Sequence, residues 1–163
     1  MKVFAIFGIS GSGKTTTAEL IIKELRRRDY SVGSVKDIHA ENFVMDTPGT
    51  NTYRHMEAGS QMVIARGLYE TDILFQRRLA MWEALAFFQH DFVVIEGGNE
   101  EPFPKILTAR SLQEIETRLD DQVFAIAGAI SNICGKYQGI PVINANTNIN
   151  ELVDLIIRKA QVF

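Results

Sequence analysis

Close to its start the chain contains the run Gly8-Ile9-Ser10-Gly11-Ser12-Gly13-Lys14-Thr15, a complete match to the pattern G-x-x-x-x-G-K-[ST]. An apolar stretch, residues 3–7, precedes it and predicts a buried strand. A helical pattern follows over residues 15–28, with apolar residues recurring on one side. This strand–loop–helix context is the one in which such a run binds phosphate. The sequence therefore predicts a site for a nucleoside triphosphate.

The residue types in the run indicate how phosphate would be held. Gly8, Gly11 and Gly13 permit positive φ angles and let the backbone come close to a ligand. Backbone N–H groups then surround an anion at the start of the helix, where the helix dipole favours negative charge. Lys14 is expected to reach the β- and γ-phosphates, and the Thr15 hydroxyl is expected to bind Mg²⁺.

The composition excludes several classes of protein. The 163 residues suit a single domain, predicted to span 1–163, and with 46% apolar and 23% charged residues the chain is neither disordered nor fibrous. We find no apolar run near the roughly 20 residues that span a bilayer, and no signal-peptide pattern. Cys134 is the only cysteine, so an intramolecular disulfide is impossible. The net charge of −3 argues against a general nucleic-acid binder. We expect a soluble cytoplasmic protein that binds neither membranes nor nucleic acid.

Strand and helix patterns alternate along the chain. Such alternation is typical of an α/β fold, here a P-loop NTPase-like three-layer sandwich with a mainly parallel sheet and helices on both faces. The predicted strands after the first are residues 31–36, 61–66, 71–75 (a fourth strand or an edge extension), 92–95, 104–108, 122–127 and 140–143. Two further helices are predicted over residues 51–58 and 76–89. Two more are predicted from capping boxes, one at Ser111 and Glu114 and one at Asn148 and Glu151, and the last helix ends near Ala160.

The helix predicted over residues 76–89 is expected to pack in the core. Its apolar residues at helical spacing are Leu79, Trp82, Leu85, Ala86 and Phe88.

A carboxylate is expected beside the phosphate-binding loop, because ligands of such sheets bind at the carboxyl ends of the strands. Glu96 occupies such an end, directly after the apolar residues 93–95. The second strand ends in Lys36 and Asp37 on the same side, and His39 follows two residues later. We predict that Glu96 binds Mg²⁺ and that Asp37 orients a metal-bound or attacking water. A lone histidine such as His39 is more typical of a loop hydrogen-bond partner than of a base.

Residues 37–50 form a polar connection that Pro48 and Gly49 interrupt. Long loops in compact domains tend to be functional. The segment 46–55 combines turn formers with hydrogen-bonding groups, including Arg54. Because the segment follows the second strand, we predict that it orders around the γ-phosphate or binds a partner. A solvated turn without a function is the alternative.

Three overlapping sets of site residues are thus predicted. The catalytic set is Lys14, Asp37 and Glu96. The metal-binding set is Thr15 and Glu96. The nucleotide-binding set is Gly8, Ser10, Gly11, Ser12, Gly13, Lys14, Thr15, Thr16, Lys36 and Arg54.

Taken together, these segments resemble the molybdopterin-guanine dinucleotide biosynthesis protein B family. The resemblance rests on residues 8–16, on Ser34-Val35-Lys36 with His39, on residues 46–60, on Val94-Ile95-Glu96-Gly97 and on Pro104-Lys105-Ile106. The part from 46 to 59 is the specific one, because phosphate-binding loops are widely shared. The chain departs from the family pattern at four positions, which are Asp37, Thr50, Asn51 and Ser60.

The resemblance implies a small homodimeric GTP-binding protein with weak Mg²⁺-dependent GTPase activity. Members of the family assist a guanylyltransferase that joins GMP to molybdopterin, and they act as adapters rather than as the transferase. The implied ligands are GTP, Mg²⁺ and molybdopterin or a related pterin cofactor. Whether the pterin carries molybdenum or tungsten is left open.

Two other functions fit the loop alone. One is a small-molecule kinase that uses ATP or GTP, which would also need an acceptor-hydroxyl site and usually an arginine-rich lid. Arg66, Arg77 and Arg78 are available, but the sequence contains no compact lid. The other is a dimeric regulatory ATPase with a second lysine early in its loop, and here Ile9 occupies the equivalent position.

The sequence contains no known motif that identifies the base of the nucleotide. The guanine-reading sequence Asn-Lys-x-Asp is absent. Asn132, Asn144 and Asn146 follow late strands and are the remaining candidates for contact with a base, although asparagine is also common in turns.

Overall fold

A sheet of parallel strands, with the first strand of the chain at its centre, organises the molecule. The computed structural model describes residues 1–163. In chain order the strands are β1 (Lys2–Phe7), β2 (Val32–Lys36), β3 (Met62–Arg66), β4 (Thr71–Phe75), β5 (Phe92–Glu96), β6 (Lys105–Thr108), β7 (Val123–Ala127), β8 (Lys136–Tyr137), β9 (Ile140–Pro141) and β10 (Gln161–Val162). The helices are α1 (Lys14–Arg27), α2 (Asn51–Glu57), α3 (Met81–Leu85), α4 (Leu112–Glu116) and α5 (Ile149–Lys159), with a 3₁₀ helix at Ala129–Asn132. None of the helices has the length and apolar character that crossing a bilayer requires.

The chain divides into two compact units. The first comprises Met1–Asp37 together with Phe87–Phe163, and the second comprises Ile38–Ala86. The first unit contains the parallel sheet, whereas the second contains α2, β3, β4 and α3. The expectation of one domain over 1–163 stays a prediction.

In the first unit the strands lie in the order β2-β5-β1-β6-β7, and each neighbouring pair is parallel. The short β10 runs antiparallel to the beginning of β1, where Val162 pairs with Lys2. At the opposite end of the strands, Glu96 is in register with Ile6 on one side and with Lys36 on the other. Because the phosphate-binding loop follows β1, this register brings Glu96 and Lys36 to the loop.

Helices cover both faces of this sheet. On one face a buried cluster joins α1 and α5 to the strands, and its largest fully buried side chains include Phe4, Ile6, Ile21, Leu25, Ile106 and Leu152. On the other face, Leu107 and Ile126 of the strands pack with Ile115 of α4 and Ile130 of the 3₁₀ helix. Strands covered on both faces are apolar without alternation, as the sequence of β5 indicated. The α/β fold class predicted from the sequence is confirmed.

The second unit contains an antiparallel hairpin between two short helices. β3 pairs with β4, from Met62 opposite Phe75 to Arg66 opposite Thr71. The predictions of strands at 61–66 and 71–75 are confirmed, but these strands form a separate two-stranded sheet and do not extend the parallel one. Thr50 accepts the N–H of Tyr53 and so sets the start of α2.

The helix predicted over residues 76–89 is wrong, because only Met81–Leu85 is helical. The Glu83 carboxylate accepts the N–H of Ala80 at 2.8 Å and binds the Arg77 guanidinium with both oxygens. These bonds fix the start of the helix at Met81. Of the expected core residues Leu85 is fully buried, whereas Trp82 is 67% exposed.

Two predictions near the end of the chain are also corrected. The strand predicted over 140–143 is limited to Ile140–Pro141, which pairs antiparallel with β8, and Val142 then makes a single parallel bridge to Ile126. Asn148 precedes α5 as expected, but its side chain makes no capping hydrogen bond. Its backbone N–H instead donates to the carbonyl of Asn144 at 2.8 Å, so a backbone turn leads into the helix.

Candidate functional site

Glycines determine the path of the loop between β1 and α1. Gly8, Gly11 and Gly13 have φ angles of +148°, +73° and +103°, which residues with side chains rarely adopt. A Cβ atom at Gly8 would also lie 2.6 Å from the Thr108 hydroxyl and 2.8 Å from the Ser12 hydroxyl. A side chain at position 8 is therefore excluded both by the backbone angle and by close packing.

The start of α1 is electropositive. Gly13 is the N-cap residue, and no side chain makes a capping hydrogen bond there. The first turn of the helix contains no acidic residue. The first N–H groups of a helix have no acceptor within it, so they are available to an anion. The Lys14 ammonium lies over the same loop, where it donates to the carbonyls of Gly8 at 2.9 Å and Ile9 at 2.7 Å. The Lys14 ammonium and the N–H groups at the start of α1 are thus both available to an anion at this loop.

Thr15, Lys36 and Glu96 meet beside this loop. The Thr15 hydroxyl donates to Glu96 Oε1 at 2.7 Å, and the Lys36 ammonium forms an ion pair with the same oxygen. Burial alone would raise the pKa of Glu96, but hydrogen bonds from Lys36 and Thr15 and the charges of Lys36 and Lys14 lower it below its ordinary value. Glu96 is therefore ionised at neutral pH.

The lysines of the cluster also influence each other. Burial is the main cause that lowers the pKa of Lys14, the neighbouring Lys36 charge lowers it further, and the Glu96 carboxylate opposes both. One carboxylate thus faces two ammonium groups. The two ammonium groups favour an anionic ligand at the loop.

Asp37 lies beside this cluster and is directed towards backbone. Its N–H donates to the carbonyl of Glu96 at 2.8 Å, and its carboxylate accepts the N–H of Gly98 at 3.4 Å. A Cβ atom at Gly97 would lie 2.8 Å from the Cβ of Asp37, so the two chain segments are in close contact. The predicted role of Asp37 towards a water stays a prediction.

Thr15 and Glu96 are the protein oxygens that suit Mg²⁺ at this edge of the sheet. Nowhere in the chain do three or more His, Cys, Asp or Glu side chains cluster so that they could hold a metal ion by themselves. Mg²⁺ prefers oxygen ligands and usually binds through one or two protein groups together with phosphate oxygens. The hydroxyl–carboxylate pair therefore fits a Mg²⁺ ion that is shared with a nucleotide.

The other predicted binding residues are divided between the two units. Ser10 and Thr16 are exposed, on the loop and in the first turn of α1. Ser12 is buried, and its hydroxyl lies 2.7 Å from that of Thr108. Arg54 is in the last turn of α2, in the second unit. The structure thus brings the loop residues together with Lys36 and Glu96, and it places Arg54 on a different unit.

Two side chains near the loop were missed from the sequence. Thr108, the last residue of β6, donates to the carbonyl of Phe7 at 3.1 Å and so braces the start of the loop. Arg110 follows two residues later, and one of its guanidinium nitrogens lies 3.9 Å from the place where a Cβ of Gly11 would be. The signal that would have found them is their position after β6, because β6 is the neighbour of β1.

The strand order, the glycine-rich loop at the centre of the sheet and the carboxylate at the end of the adjacent strand define a P-loop NTPase-like α/β protein. Residues 3–129 match the profile of the family described as molybdopterin guanine dinucleotide synthesis protein B. The chain belongs to this family, and the resemblance inferred from the sequence is confirmed.

Curated relatives carry this family's name, and solved structures share the fold. The molybdopterin-guanine dinucleotide biosynthesis adapter protein of Haemophilus influenzae is 34% identical over 133 residues, which cover 78% of this chain and 74% of that protein. A probable adapter protein of the same name from Bacillus subtilis is 24% identical over 148 residues, or 88% of this chain and 86% of that protein. The crystal structure of Bacillus subtilis MobB shares the fold, with a TM-score of 0.80 at 22% identity over 100% of both chains. The MobB homolog from Bacillus stearothermophilus has a TM-score of 0.72 at 20% identity, over 97% of this chain and 99% of that chain.

Proposed function

We propose that this protein binds GTP together with Mg²⁺ at the loop of residues 8–15 and acts as an adapter in the synthesis of molybdopterin guanine dinucleotide. The observation that carries the proposal is the arrangement at the end of β1, where the Lys14 ammonium lies over the loop and the Thr15 hydroxyl is bonded to Glu96. These are the groups that a Mg²⁺-bound triphosphate requires. The adapter role is supported by family membership and by the name of the Haemophilus influenzae relative.

The residues of the cluster have different roles in this proposal. Lys14 opposes the charge of the β- and γ-phosphates, and Thr15 and Glu96 hold Mg²⁺. The ion, when bound, neutralises phosphate oxygens and fixes their orientation. Lys36 is bonded to Glu96, so it holds that carboxylate in place and adds a second cation beside the γ-phosphate.

Hydrolysis of the bound GTP is slow in this proposal. A general base works best when its pKa lies near the working pH. Glu96 has a lowered pKa, and its Oε1 is already engaged by Thr15 and Lys36. We therefore expect a turnover below about 1 s⁻¹, the lower end of typical enzyme rates, in the absence of a partner.

The proposed partner is the guanylyltransferase that joins GMP to molybdopterin, and the proposed contact surface is the apolar part of the loop after β2. Phe43, Val44 and Met45 are consecutive large apolar residues, and all three are exposed. Asp46 orders the turn that follows, because its carboxylate accepts the N–H of Thr47 and the hydroxyl of Thr50, both at 2.8 Å. Exposed apolar side chains next to an ordered turn are typical of a protein-binding surface.

We also propose a homodimer formed through the β3–β4 hairpin. One face of the hairpin exposes Met62, Ile64 and Ile73, and at its tip Leu68 and Tyr69 are 93% and 100% exposed. A two-stranded hairpin has limited stability alone, and it leaves strand edges unpaired. A second copy would cover the apolar face in a self-complementary way, as in most two-fold dimers.

Sedimentation tests the dimer. We expect the wild type to sediment as a dimer at micromolar concentration and Ile64→Glu to sediment as a monomer. Asp72→Asn is the control, because Asp72 lies on the opposite face of the hairpin and the variant should stay dimeric. A monomeric wild type would contradict the proposal.

Reconstitution tests the adapter role. Transfer of GMP from GTP to molybdopterin by the guanylyltransferase is measured with and without this protein. We expect stimulation by the wild type and by Lys23→Ala, an exposed lysine of α1, and none by Lys14→Ala. The double variant Val44→Ser/Met45→Ser should bind GTP normally and stimulate less. Absence of stimulation by the wild type would contradict the adapter role, and phosphate transfer from GTP to a small metabolite would favour a kinase instead.

A further inference from the structure

Two chain segments lie on the side of the phosphate-binding loop that faces away from Lys36 and Glu96. Glu96 and Lys36 are at the ends of β5 and β2, on one side of β1, whereas β6 and β7 lie on the other side. Ala129–Asn132 follows β7, and Asn144 follows the stretch in which Val142 bridges to Ile126. Both segments leave the same edge of the sheet as the loop. In the proposed site Lys14 contacts the β- and γ-phosphates, and Thr15 and Glu96 hold the Mg²⁺ ion bound to them, which leaves the side of β6 and β7 for the base.

The segment after β7 is in direct contact with the loop. Gly128 has a φ angle of +92°, and a Cβ atom there would lie 2.6 Å from the carbonyl oxygen of Ser12 and 2.7 Å from that of Ala109. From the other side, a Cβ atom at Gly13 would lie 3.8 Å from the Cα of Gly128. Because Gly128 is held against the loop, the 3₁₀ helix that ends at Asn132 starts beside the phosphate-binding loop.

Asn132 and Asn144 form a pair of amides whose orientation is fixed by the backbone. The N–H of Asn146 donates to the Asn144 side chain at 2.9 Å, so the accepting atom must be Oδ1. The other terminal atom of Asn144 is then Nδ2, and it donates to Oδ1 of Asn132 at 2.9 Å. The second terminal atom of Asn132 is therefore its amide nitrogen. Asn132 is exposed, and this nitrogen has no hydrogen-bond partner within the protein.

The edges of purines differ in what they offer to such a donor. Guanine presents O6 and N7 side by side, and both are acceptors. Adenine presents N7 beside the N6 amino group, which is itself a donor. The N–H groups of the Asn132 amide can donate to O6 and N7 of guanine. At the adenine edge they would face the N6 amino group, which is itself a donor.

We infer that Asn132, oriented by Asn144, binds the O6/N7 edge of a 6-oxopurine. The inference rests on the proposed binding of the triphosphate by the loop of residues 8–15. It gives this chain a basis for selecting guanine without an Asn-Lys-x-Asp run, whose carboxylate reads the N1 and N2 positions instead. Hypoxanthine has the same O6 and N7 acceptors as guanine but no N2 amino group. ITP should therefore bind like GTP.

Calorimetric titration of the full chain tests the inference with four probes, which are Mg²⁺-GTP, Mg²⁺-ITP, Mg²⁺-ATP and Mg²⁺-tripolyphosphate. The test variant is Asn132→Asp, which keeps the bond from Asn144 and replaces the outward donor by an acceptor. The control is Gln89→Glu, which makes the same change from amide to carboxylate at an exposed position just before β5, at the other end of the sheet.

For the wild type we expect GTP and ITP to bind within about threefold of each other and ATP at least about tenfold more weakly, the effect of one unfavourable polar contact. In Asn132→Asp, GTP and ITP should lose at least about tenfold while tripolyphosphate binding is unchanged. Gln89→Glu should behave as the wild type. An unchanged GTP-to-ATP ratio in Asn132→Asp, or ITP binding tenfold weaker than GTP, would overturn this inference alone. A wild type that binds no triphosphate would overturn the proposed function as well.

Discussion

The hydroxyl of Thr15 donates to Oε1 of Glu96 at 2.7 Å, and this bond joins the first turn of α1 to the last residue of β5. The two residues are far apart in the sequence, and the parallel pairing of β1 with β5 brings them together. In the proposed site both are ligands of the same Mg²⁺ ion.

Thr15→Val tests the metal role, because valine keeps the shape of threonine and removes the hydroxyl. We expect GTP affinity in the presence of Mg²⁺ to fall about tenfold or more, the effect of losing one ligand to a charged group. Affinity in EDTA should be the same as for the wild type. Calorimetry in both buffers makes the measurement, with Thr117→Val, directly after α4, as the control. An equal loss of affinity in both buffers would contradict a role in metal binding.

Gly128→Ala tests the contact between the segment after β7 and the phosphate-binding loop. The added Cβ would collide with carbonyl oxygens of Ser12 and Ala109, so we expect a loss of folding stability together with weaker GTP binding. Gly139→Ala is the matched control, because Gly139 has a φ angle of +88° and a Cβ there meets nothing within 4 Å. The control therefore has only the cost of a side chain at positive φ, about 1–3 kcal/mol, without the collision. Equal effects of the two substitutions on stability and binding would contradict the contact.

A buried lysine ties the segment after Glu96 to the sheet. Lys105 is only 4% exposed, and its ammonium donates to the carboxylate of Asp120 at 2.8 Å and to the carbonyl of Asn99 at 2.9 Å. Asp120→Asn would leave this ammonium without a counter-charge. We expect the free energy of unfolding in urea to fall by about 1–3 kcal/mol.

Two comparisons complete the test of this ion pair. Asp121→Asn, at an exposed neighbouring position, should leave the free energy of unfolding unchanged. Lys105→Met combined with Asp120→Asn should be less destabilised than Asp120→Asn alone, because no buried charge is then left unpaired. A double variant less stable than Asp120→Asn alone would show that the lysine contributes by contacts other than this pair.

Glu24 gives the stability a dependence on pH. Hydrogen bonds from Arg27 and then Arg28 lower the pKa of this buried carboxyl from 4.5 to about 2. Because the pKa in the folded state lies below the unfolded value, the carboxylate stabilises the fold above about pH 4.5, and this contribution is lost as the pH falls towards 2.

Glu24→Gln should therefore be less stable than the wild type at pH 7, by about 1–2 kcal/mol. The difference should shrink as the pH decreases below 4.5. Thermal unfolding of both proteins between neutral and acidic pH measures it. A difference that does not change with pH would mean that the substitution acts through packing and not through the charge.

The phosphate-binding loop was predictable because its conformation is encoded locally. Gly8, Gly11 and Gly13 provide the φ angles, and the strand and helix on either side follow from apolar periodicity. Glu96 was predictable for a related reason. A strand without polar alternation is buried on both faces, and its last residue lies at the edge of the sheet where the loop is.

The helix over residues 76–89 was not predictable from periodicity, because Glu83 fixes a later start by binding Arg77 and the N–H of Ala80. The brace between Ser12 and Thr108 was missed because it joins residues 96 positions apart, and only the order of the strands brings them together. The Asn132–Asn144 pair was predictable only in part. The sequence marked both residues as candidates, but the bridge between Ile126 and Val142 determines that their side chains meet.

Titration of the purified wild type, Lys14→Ala and Lys23→Ala with Mg²⁺-GTP is the decisive experiment on whether the loop of residues 8–15 binds the nucleotide. Lys14 lies over the loop, whereas Lys23 is exposed further along the same helix. We expect the wild type and Lys23→Ala to bind with equal affinity and Lys14→Ala to bind about 100-fold more weakly, because a charged contact with the phosphates is lost. Binding by Lys14→Ala with the affinity of the wild type would contradict the assignment of this loop as the nucleotide site.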